Sequence, residues 1–440
     1  MINNRNELVS AIVKWEVGDK IDLSENQKFV IKEKRAVSIL TPFPIPYCTP
    51  EQLSSKIREF IGTYKELCIK FIQQENKIVQ QIVSANDVKL KIKYRETDSE
   101  EKLENLKQEG TEFLKEECDV FNGELIRVIV FGDRNKKEQL FIVMGIHYSL
   151  IDMHTNIYLS DHLKRFLYSE PIDLNYVSNF DFVLWQKEFI SSREGIEKRK
   201  YWINLLRQAN LDKAVKRYSI DENITIDKGL ISQRIIISGN ELQAIKEILT
   251  KSNLPLSAIL LTFHQRLIRL IFKDENCLQL VRVNGRERLS NNFDVSNVFG
   301  MITNAIPLPV FLNVNLADYD LILKAYSLYF NARLNQQIPF EIIKADFEKE
   351  ENKDINSSII GLFNFVNLEE KNKINLEDNY NYLVQKKRYS PEDNRMNLYC
   401  TLYQNSLEIE FTCKSIIYED NKEILNLKKL IENEFMNSFL

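Results

Sequence analysis

The sequence predicts a two-lobed α+β protein, on three observations. At 440 residues the chain is longer than one ordinary core accommodates, because single hydrophobic cores stop growing at roughly 250–300 residues. Each half mixes segments of helical periodicity with segments of strand character. Neither half shows the strand–helix alternation of a doubly wound parallel sheet. The changeover between lobes falls near residues 170–210.

The elements follow in order. Thr49-Pro50 supplies a cap and a first-turn proline for a helix read across residues 50–73, with Leu53, Ile57, Phe60, Ile61 and Tyr64 at helical spacing. KIVQQIV (77–83) reads as a strand, and the charge-rich residues 97–117 as a solvated helix. The apolar runs ELIRVIVFG (124–132) and QLFIVMGIH (139–147) flank the turn formers Asp133-Arg134-Asn135 and read as a hairpin of buried strands. A helix follows at 154–168, carrying Ile157, Tyr158, His162 and Phe166. In the second half, helices are expected at 240–251 and 256–272, and strands at 278–284, 305–312, 359–366, 397–404 and 407–412. No repeat, low-complexity tract or long Pro/Gly/Ser linker separates the halves, so the lobes are packed together or joined by a short helical connection.

Composition narrows the function classes. The 59 basic and 63 acidic residues are well mixed and leave a net charge of −4, so no basic face is available to nucleic acid. The cysteines Cys48, Cys68, Cys118, Cys277, Cys400 and Cys413 are scattered without a C-x-x-C pair, which argues against a zinc site and a disulfide framework and fits a reducing cytoplasm. The opening MINNRNELVS lacks the cationic and apolar blocks of a signal peptide. No uninterrupted apolar run reaches the roughly 18–20 residues of a membrane span. A soluble, cytoplasmic protein is expected.

The most informative segment is GIHYSLIDMHT, residues 145–155. It lies directly after a buried strand and directly before a helix, the kind of junction at which a rigid scaffold presents reactive groups. His147 ends an alternating strand, so it faces the side opposite Tyr148.

This register, His147-Tyr148-Ser149-Leu150-Ile151-Asp152-Met153, resembles the His-His-x-x-x-Asp-Gly motif of nonribosomal peptide synthetase condensation domains and the wider chloramphenicol-acetyltransferase-like acyltransferases. The first histidine and the aspartate are kept; tyrosine and methionine replace the second histidine and the glycine. Other matches fall in the family's order. LSENQ (23–27) is similar to its opening element, KELCIKFIQQENKIVQQIV (65–83) to its Leu-Arg-Thr-x-Phe segment, and Cys118-Asp119-Val120 with ELIRVIV to the strand before the histidine motif. DFVLWQKEFI (181–190), Lys200-Tyr201-Trp202, VRVNGRERL (281–289), FGMITNAIPLPV (299–310), Ile338-Pro339-Phe340-Glu341 and GLFNFVN (361–367) continue the series. The resemblance spans about residues 20–420.

The resemblance implies two chloramphenicol-acetyltransferase-like α+β lobes, residues 1–180 and 181–440, arranged as a V around a tunnel. It implies acyl transfer from a thioester on the phosphopantetheine arm of a carrier protein, acting in trans, to a small-molecule amine or alcohol. No bound cofactor or metal, no nucleic acid, no membrane and a monomeric state are expected. A catalytically silent module that binds carrier or tailoring proteins, and a coenzyme A-dependent acyltransferase, are the alternatives. The family's second histidine positions or deprotonates the amine, near its pKa of about 6.5. At Tyr148 stands a phenol, with a pKa near 10, which donates a hydrogen bond to an oxyanion but is no simple base; a substrate contact or a ring that fills the tunnel remain open. His147 is expected to be structural and His154 is the candidate substitute base. Asp152 pairs with Arg286 to hold the loop. Met153 crowds the tunnel, Thr303 lines it, and Asn304 holds backbone beside it. His162, His264, Trp185, Tyr201 and Trp202 are read as uninvolved or as packing anchors.

Overall fold

The computed structural model describes residues 14–31, 37–40, 43–97, 109–110, 112–114, 116–133, 139–209, 211, 230–272, 277–287, 293–310, 318–369 and 396–414. Its contacts divide the chain into two units. Among the described residues, the first runs to Ser191 and takes in Asn284–Thr303; the second comprises Ser192–Val283 and the described residues from Asn304 on.

In the first unit, β1 (Lys20–Asp22) leads into α1 (Glu25–Val30), then β2 (Val37–Ile39), β3 (Phe43–Pro46) and α2 (Pro50–Gly62). Both helices start with a capping box, Ser24 with Gln27 and Thr49 with Gln52, in which side chain and backbone satisfy each other's orphan groups. The helix read across residues 50–73 ends at Gly62. A short 3-10 turn, Lys65–Leu67, follows, and then β4 (Ile69–Gln74), because Ile69 and Phe71 alternate with exposed residues and pair antiparallel with β5 (Lys77–Ile82). With β1 these strands form one sheet.

A second sheet in this unit contains β6 (Leu90–Thr97), β7 (Ile126–Asp133) and β8 (Gln139–His147), flanked by β2 and β3. The two apolar runs pair antiparallel, as a hairpin requires, from Ile126 opposite Ile146 to Gly132 opposite Leu140. Residues 134–138 of its turn and most of the helix expected at 97–117 lie outside the described residues. The chain continues into α3 (Met153–Leu167), β9 (Val177–Ser178) and α4 (Asn179–Ser191). Leu53, Ile57 and Phe60 of α2 share one core with Ile126 and Val128 of β7, Ile142, Met144 and Ile146 of β8, and Leu159 and Leu163 of α3.

The second unit opens with α5 (Arg193–Gln208), then β10 (Leu230–Ser238), α6 (Gly239–Ser252), α7 (Leu256–Phe272) and β11 (Leu278–Val283). The chain then returns to the first unit for β12 (Val298–Phe299), which pairs parallel with β9. Back in the second unit come β13 (Asn304–Pro309), α8 (Asp318–Arg333), α9 (Phe340–Glu351), β14 (Ile359–Asn367), β15 (Met396–Leu402) and β16 (Ser406–Lys414). The sheet order is β10-β16-β15-β14-β11-β13, with β11, β14 and β15 mutually parallel. Helix α7 is buried on most of its faces because it packs between this sheet and α8. Trp202 of α5 is fully buried and donates from Nε1 to the Asn335 carbonyl at 3.0 Å, while Arg199 forks onto Asp346 at 2.6 Å.

This partition differs from a single cut at residue 180. Helix α4 packs on β9 and β12 and so stays with the first unit. Asn284–Thr303 belongs there because Arg286 is bonded to Asp152.

Candidate active site

Strand β8 ends by delivering two neighbouring side chains to opposite faces, as a period of two requires. His147 is fully buried, whereas Tyr148 is 39% exposed. The His147 Nδ1 accepts the Ser149 backbone N–H at 3.2 Å and lies 2.7 Å from the Ser149 hydroxyl, so its ring proton sits on Nε2. The Ser149 carbonyl in turn accepts from Gln27 Nε2 at 3.0 Å. Gln27 is buried, its Oε1 accepts from the Ser24 N–H at 3.0 Å, and its Nε2 also reaches Gln80. The backbone just after Tyr148 is therefore clamped from both sides, by an imidazole and by an amide of α1.

Four residues on, Asp152 caps α3: its Oδ1 accepts the Thr155 N–H at 3.1 Å. Its Oδ2 accepts from Arg286 Nη1 at 2.6 Å, the Ile302 and Thr303 N–H groups at 3.2 and 3.1 Å, and the Thr303 hydroxyl at 3.1 Å. Burial alone raises a carboxyl pKa. The Arg286 charge and the converging donors outweigh that and hold Asp152 below the ordinary carboxylate value, so it is an anion at neutral pH. Arg286 also donates from Nη1 to the Asn284 carbonyl and from Nη2 to Thr155 Oγ1 and the carbonyls of Val298 and Gly300. Gly285 sits at φ +71°, and a Cβ there would overlap the Ile302 carbonyl oxygen, so only glycine lets the chain turn this tightly and aim Arg286 at Asp152. Asn26 adds a bond from Nδ2 to the Thr303 carbonyl at 2.8 Å. One buried ion pair thus ties the start of α3 to the 300–303 segment.

A model of the condensation-domain family matches residues 46–428, most of the chain. The chain belongs to the condensation-domain family. Solved structures of low identity share its fold. The epimerization domain from the third module of tyrocidine synthetase B aligns with a TM-score of 0.70 at 14% identity, covering 96% of each chain. SgcC5 from Streptomyces globisporus, solved with (R)-(-)-1-(2-naphthyl)-1,2-ethanediol and sucrose, aligns with 0.71 at 13% identity over 95% of this chain and 98% of its own. The condensation domain of the monacolin K polyketide synthase MokA gives 0.69 at 12% identity and 97% of both chains. A search of curated proteins gave no match. Condensation domains have the chloramphenicol-acetyltransferase-like fold and act on substrates held on the phosphopantetheine of carrier proteins.

In this condensation domain the remaining sequence-derived residues are distributed as follows. Met153 and His154 form the first turn of α3 and are half-buried. Thr303 is half-buried, with its N–H and hydroxyl both given to Asp152. Asn304 belongs to the second unit and is 6% exposed; its Nδ2 donates to the Gln336 and Ile338 carbonyls and its Oδ1 accepts from Ala305 and Phe340 N–H. That amide has no hydrogen-bonding capacity left for a substrate. His162 takes the Tyr64 hydroxyl at 2.6 Å, and burial depresses its pKa. His264 lies between Gln279 and the Met396 carbonyl, its pKa depressed by burial to about 3. Trp185 stacks on Phe189 and Phe293.

Sequence reasoning missed Gln27, Asn26 and Thr155 as supports of the junction. Thr155 had a signal, three residues beyond the cap; the reach of Gln27 and Asn26 to Ser149 and Thr303 had none. It also missed Glu66, a buried carboxylate that accepts from the Ser178 hydroxyl at 2.6 Å and the Tyr176 hydroxyl at 3.1 Å. Burial raises its pKa more than these bonds lower it. Among the described residues no cluster of His, Cys, Asp or Glu is arranged to hold a metal, and no helix is long and apolar enough to cross a membrane.

Proposed function

We propose that this condensation domain is an acyltransferase that joins an acyl or aminoacyl thioester on a carrier protein to an amine, in nonribosomal peptide or related natural-product biosynthesis. The observation that carries this reading is the complete support of the β8–α3 junction around an exposed phenol. Asp152, Arg286, Thr155, Ser149 and Gln27 fix the backbone on both sides of Tyr148 through buried hydrogen bonds.

The chemistry asked of these side chains is modest. Thioesters are activated acyl donors, and holding donor and amine together supplies much of the rate; oriented encounter is worth up to about 7–11 kcal/mol. The Tyr148 hydroxyl donates a hydrogen bond to the oxygen on which charge develops, a contribution of about 3 kcal/mol. His147 and Asp152 are positioning residues in this account. The replacement of a small glycine by Met153 favours a second reading, a silent module that binds a carrier protein without turnover.

Purified protein, an acylated carrier protein and a panel of amines, followed by mass spectrometry, separate the two. Amide formation well above uncatalysed aminolysis supports the transferase. Saturable carrier binding without product supports the silent module, and turnover with acyl-coenzyme A in preference to the carrier moves the donor to coenzyme A.

A further inference from the structure

Glu66 lies in the turn before β4, away from the β8–α3 junction, and belongs to the same unit. It is 4% exposed and accepts the Ser178 hydroxyl at 2.6 Å and the Tyr176 hydroxyl at 3.1 Å. Its neighbour Lys65 reaches the Trp15 carbonyl instead. The groups around it offer no compensating charge. On its own segment, burial pushes the Tyr64 phenol and the Cys68 thiol up, Cys68 to about 12, and the Tyr176 phenol is pushed up in the same way. From α4, Asp181 acts on Glu66 as a like charge. From α3, Tyr158 is pushed up to about 12, and burial depresses the pKa of His162, which takes the Tyr64 hydroxyl.

The contacts of Glu66 run on to the catalytic loop. Ser178 belongs to β9, whose Val177 and Ser178 pair with Val298 and Phe299 of β12. Asn297 also donates to the Asn175 carbonyl. The buried Phe299 ring stacks on Tyr64 at 4.9 Å and packs on Tyr176 at 5.0 Å between centroids, so the Glu66 turn and β12 share one aromatic stack. On either side of Phe299, the Val298 and Gly300 carbonyls accept from Arg286 Nη2, and the next N–H groups, of Ile302 and Thr303, donate to Asp152.

We infer that Glu66 is a proton-operated latch on this loop: with its proton on, it fastens β9 and β12 and thereby seats the Arg286–Asp152 pair, and with the proton lost to solvent it lets them go. The protonated carboxyl donates to one of its two hydroxyl partners and accepts from the other, so every group is satisfied without charge. The carboxylate is a buried charge without a cation, and turning toward water relieves both its burial and the repulsion from Asp181. Ser178 then loses its partner. Opened, Glu66 titrates at the ordinary 4.5; closed, it titrates higher. Opening therefore becomes easier by up to about tenfold per pH unit above 4.5, until the closed form itself ionises. The effect on turnover rests on the acyl-transfer reading: a loosened Arg286 seat lowers kcat over the same pH range.

The test is hydrogen exchange by mass spectrometry on the full chain at pH 5.5, 7 and 8.5, corrected for the intrinsic pH dependence of amide exchange. Protection of the 298–303 amides is expected to fall with pH in wild type, by up to about tenfold per unit, while β15 in the second unit keeps its protection. Glu66→Gln should hold a constant, high protection at 298–303, and Ser178→Ala a constant, low one. Equal falls in wild type and Glu66→Gln, or a wild-type fall in Ser178→Ala, overturn the latch. With an acylated carrier protein and one amine, the ratio of wild-type to Glu66→Gln kcat is expected to decline over the same pH range, since acceptor ionisation cancels in the ratio. A constant ratio overturns the control of turnover. The predicted exchange pattern without turnover by either protein removes the acyl-transfer reading and leaves the latch; turnover with flat exchange removes the latch and leaves acyl transfer.

Discussion

Replacing Asp152 by asparagine isolates the energetic core of the junction. The amide oxygen still caps α3 through the Thr155 N–H, since Asn and Asp are equivalent caps. What is lost is the charge facing Arg286, a partner only 3% exposed at its side chain, and acceptance from the Ile302 and Thr303 N–H groups. Breaking one side of a buried pair costs about 3–5 kcal/mol, and Asp152→Asn is expected at the upper end. Arg286→Met is expected to cost less, about 2–3 kcal/mol, because the carboxylate keeps its bonds from Thr155, Ile302 and Thr303. In the double variant neither charge is orphaned, so the two costs should fall short of additivity by about 2 kcal/mol. Urea unfolding, read by the fluorescence of Trp15 and Trp185 in the first unit, gives all four corners of the cycle. Because the Asp152 pKa is depressed in the folded state, its stabilisation is complete above the ordinary 3.8 and is lost as pH falls below that toward the folded value. Wild type should therefore lose stability there and Asp152→Asn should not lose that part. Additive costs within error, or an unchanged acid limb in Asp152→Asn, would refute the reasoning.

Two further outcomes concern the framework. Glu66 has a raised pKa in the folded state, so folding favours its protonated form; its contribution is most favourable below the unfolded value of 4.5 and declines as pH rises through the folded pKa. Urea midpoints at pH 5 and pH 8 should show this decline in wild type and its absence in Glu66→Gln, which is expected to be at least as stable as wild type at pH 8; an equal decline in both would assign it elsewhere. Gly285→Ala must hold φ +71° and displace the Ile302 carbonyl, and is expected to cost more than about 2 kcal/mol by urea unfolding. A neutral result would mean that the turn relaxes without disturbing Arg286.

Much of the site was legible because its logic is local. A buried apolar run that ends at His147 with a helix read from 154 marks a strand-to-helix junction in the sequence itself, whereas the pairing of Asp152 with Arg286 came from the resemblance to condensation domains. The parts that stayed hidden depend on tertiary reach. Asn304 reads as a residue that holds backbone, but which backbone it holds, four groups between 305 and 340, is set by the tertiary fold. Glu66 reads as one more acid beside Lys65 until Tyr176 and Ser178 arrive from more than a hundred residues away. The fold shows the same division. Helices α4 and α8 carry apolar residues on more than one face and so lack a clear amphipathic period. The strand β6 alternates cleanly but is disguised by its lysines.

The most direct measurement of the central claim is kcat and KM for amide formation from an acylated carrier protein by wild type, Tyr148→Phe and Tyr148→His. A phenol that stabilises the oxyanion predicts a loss of about a hundredfold in kcat for Tyr148→Phe with KM unchanged. It predicts activity in Tyr148→His, with a new inflection near pH 6.5, about the ordinary histidine pKa. Wild-type turnover in Tyr148→Phe would contradict the account, and would leave Tyr148 a ring that occupies the position without taking part in the reaction.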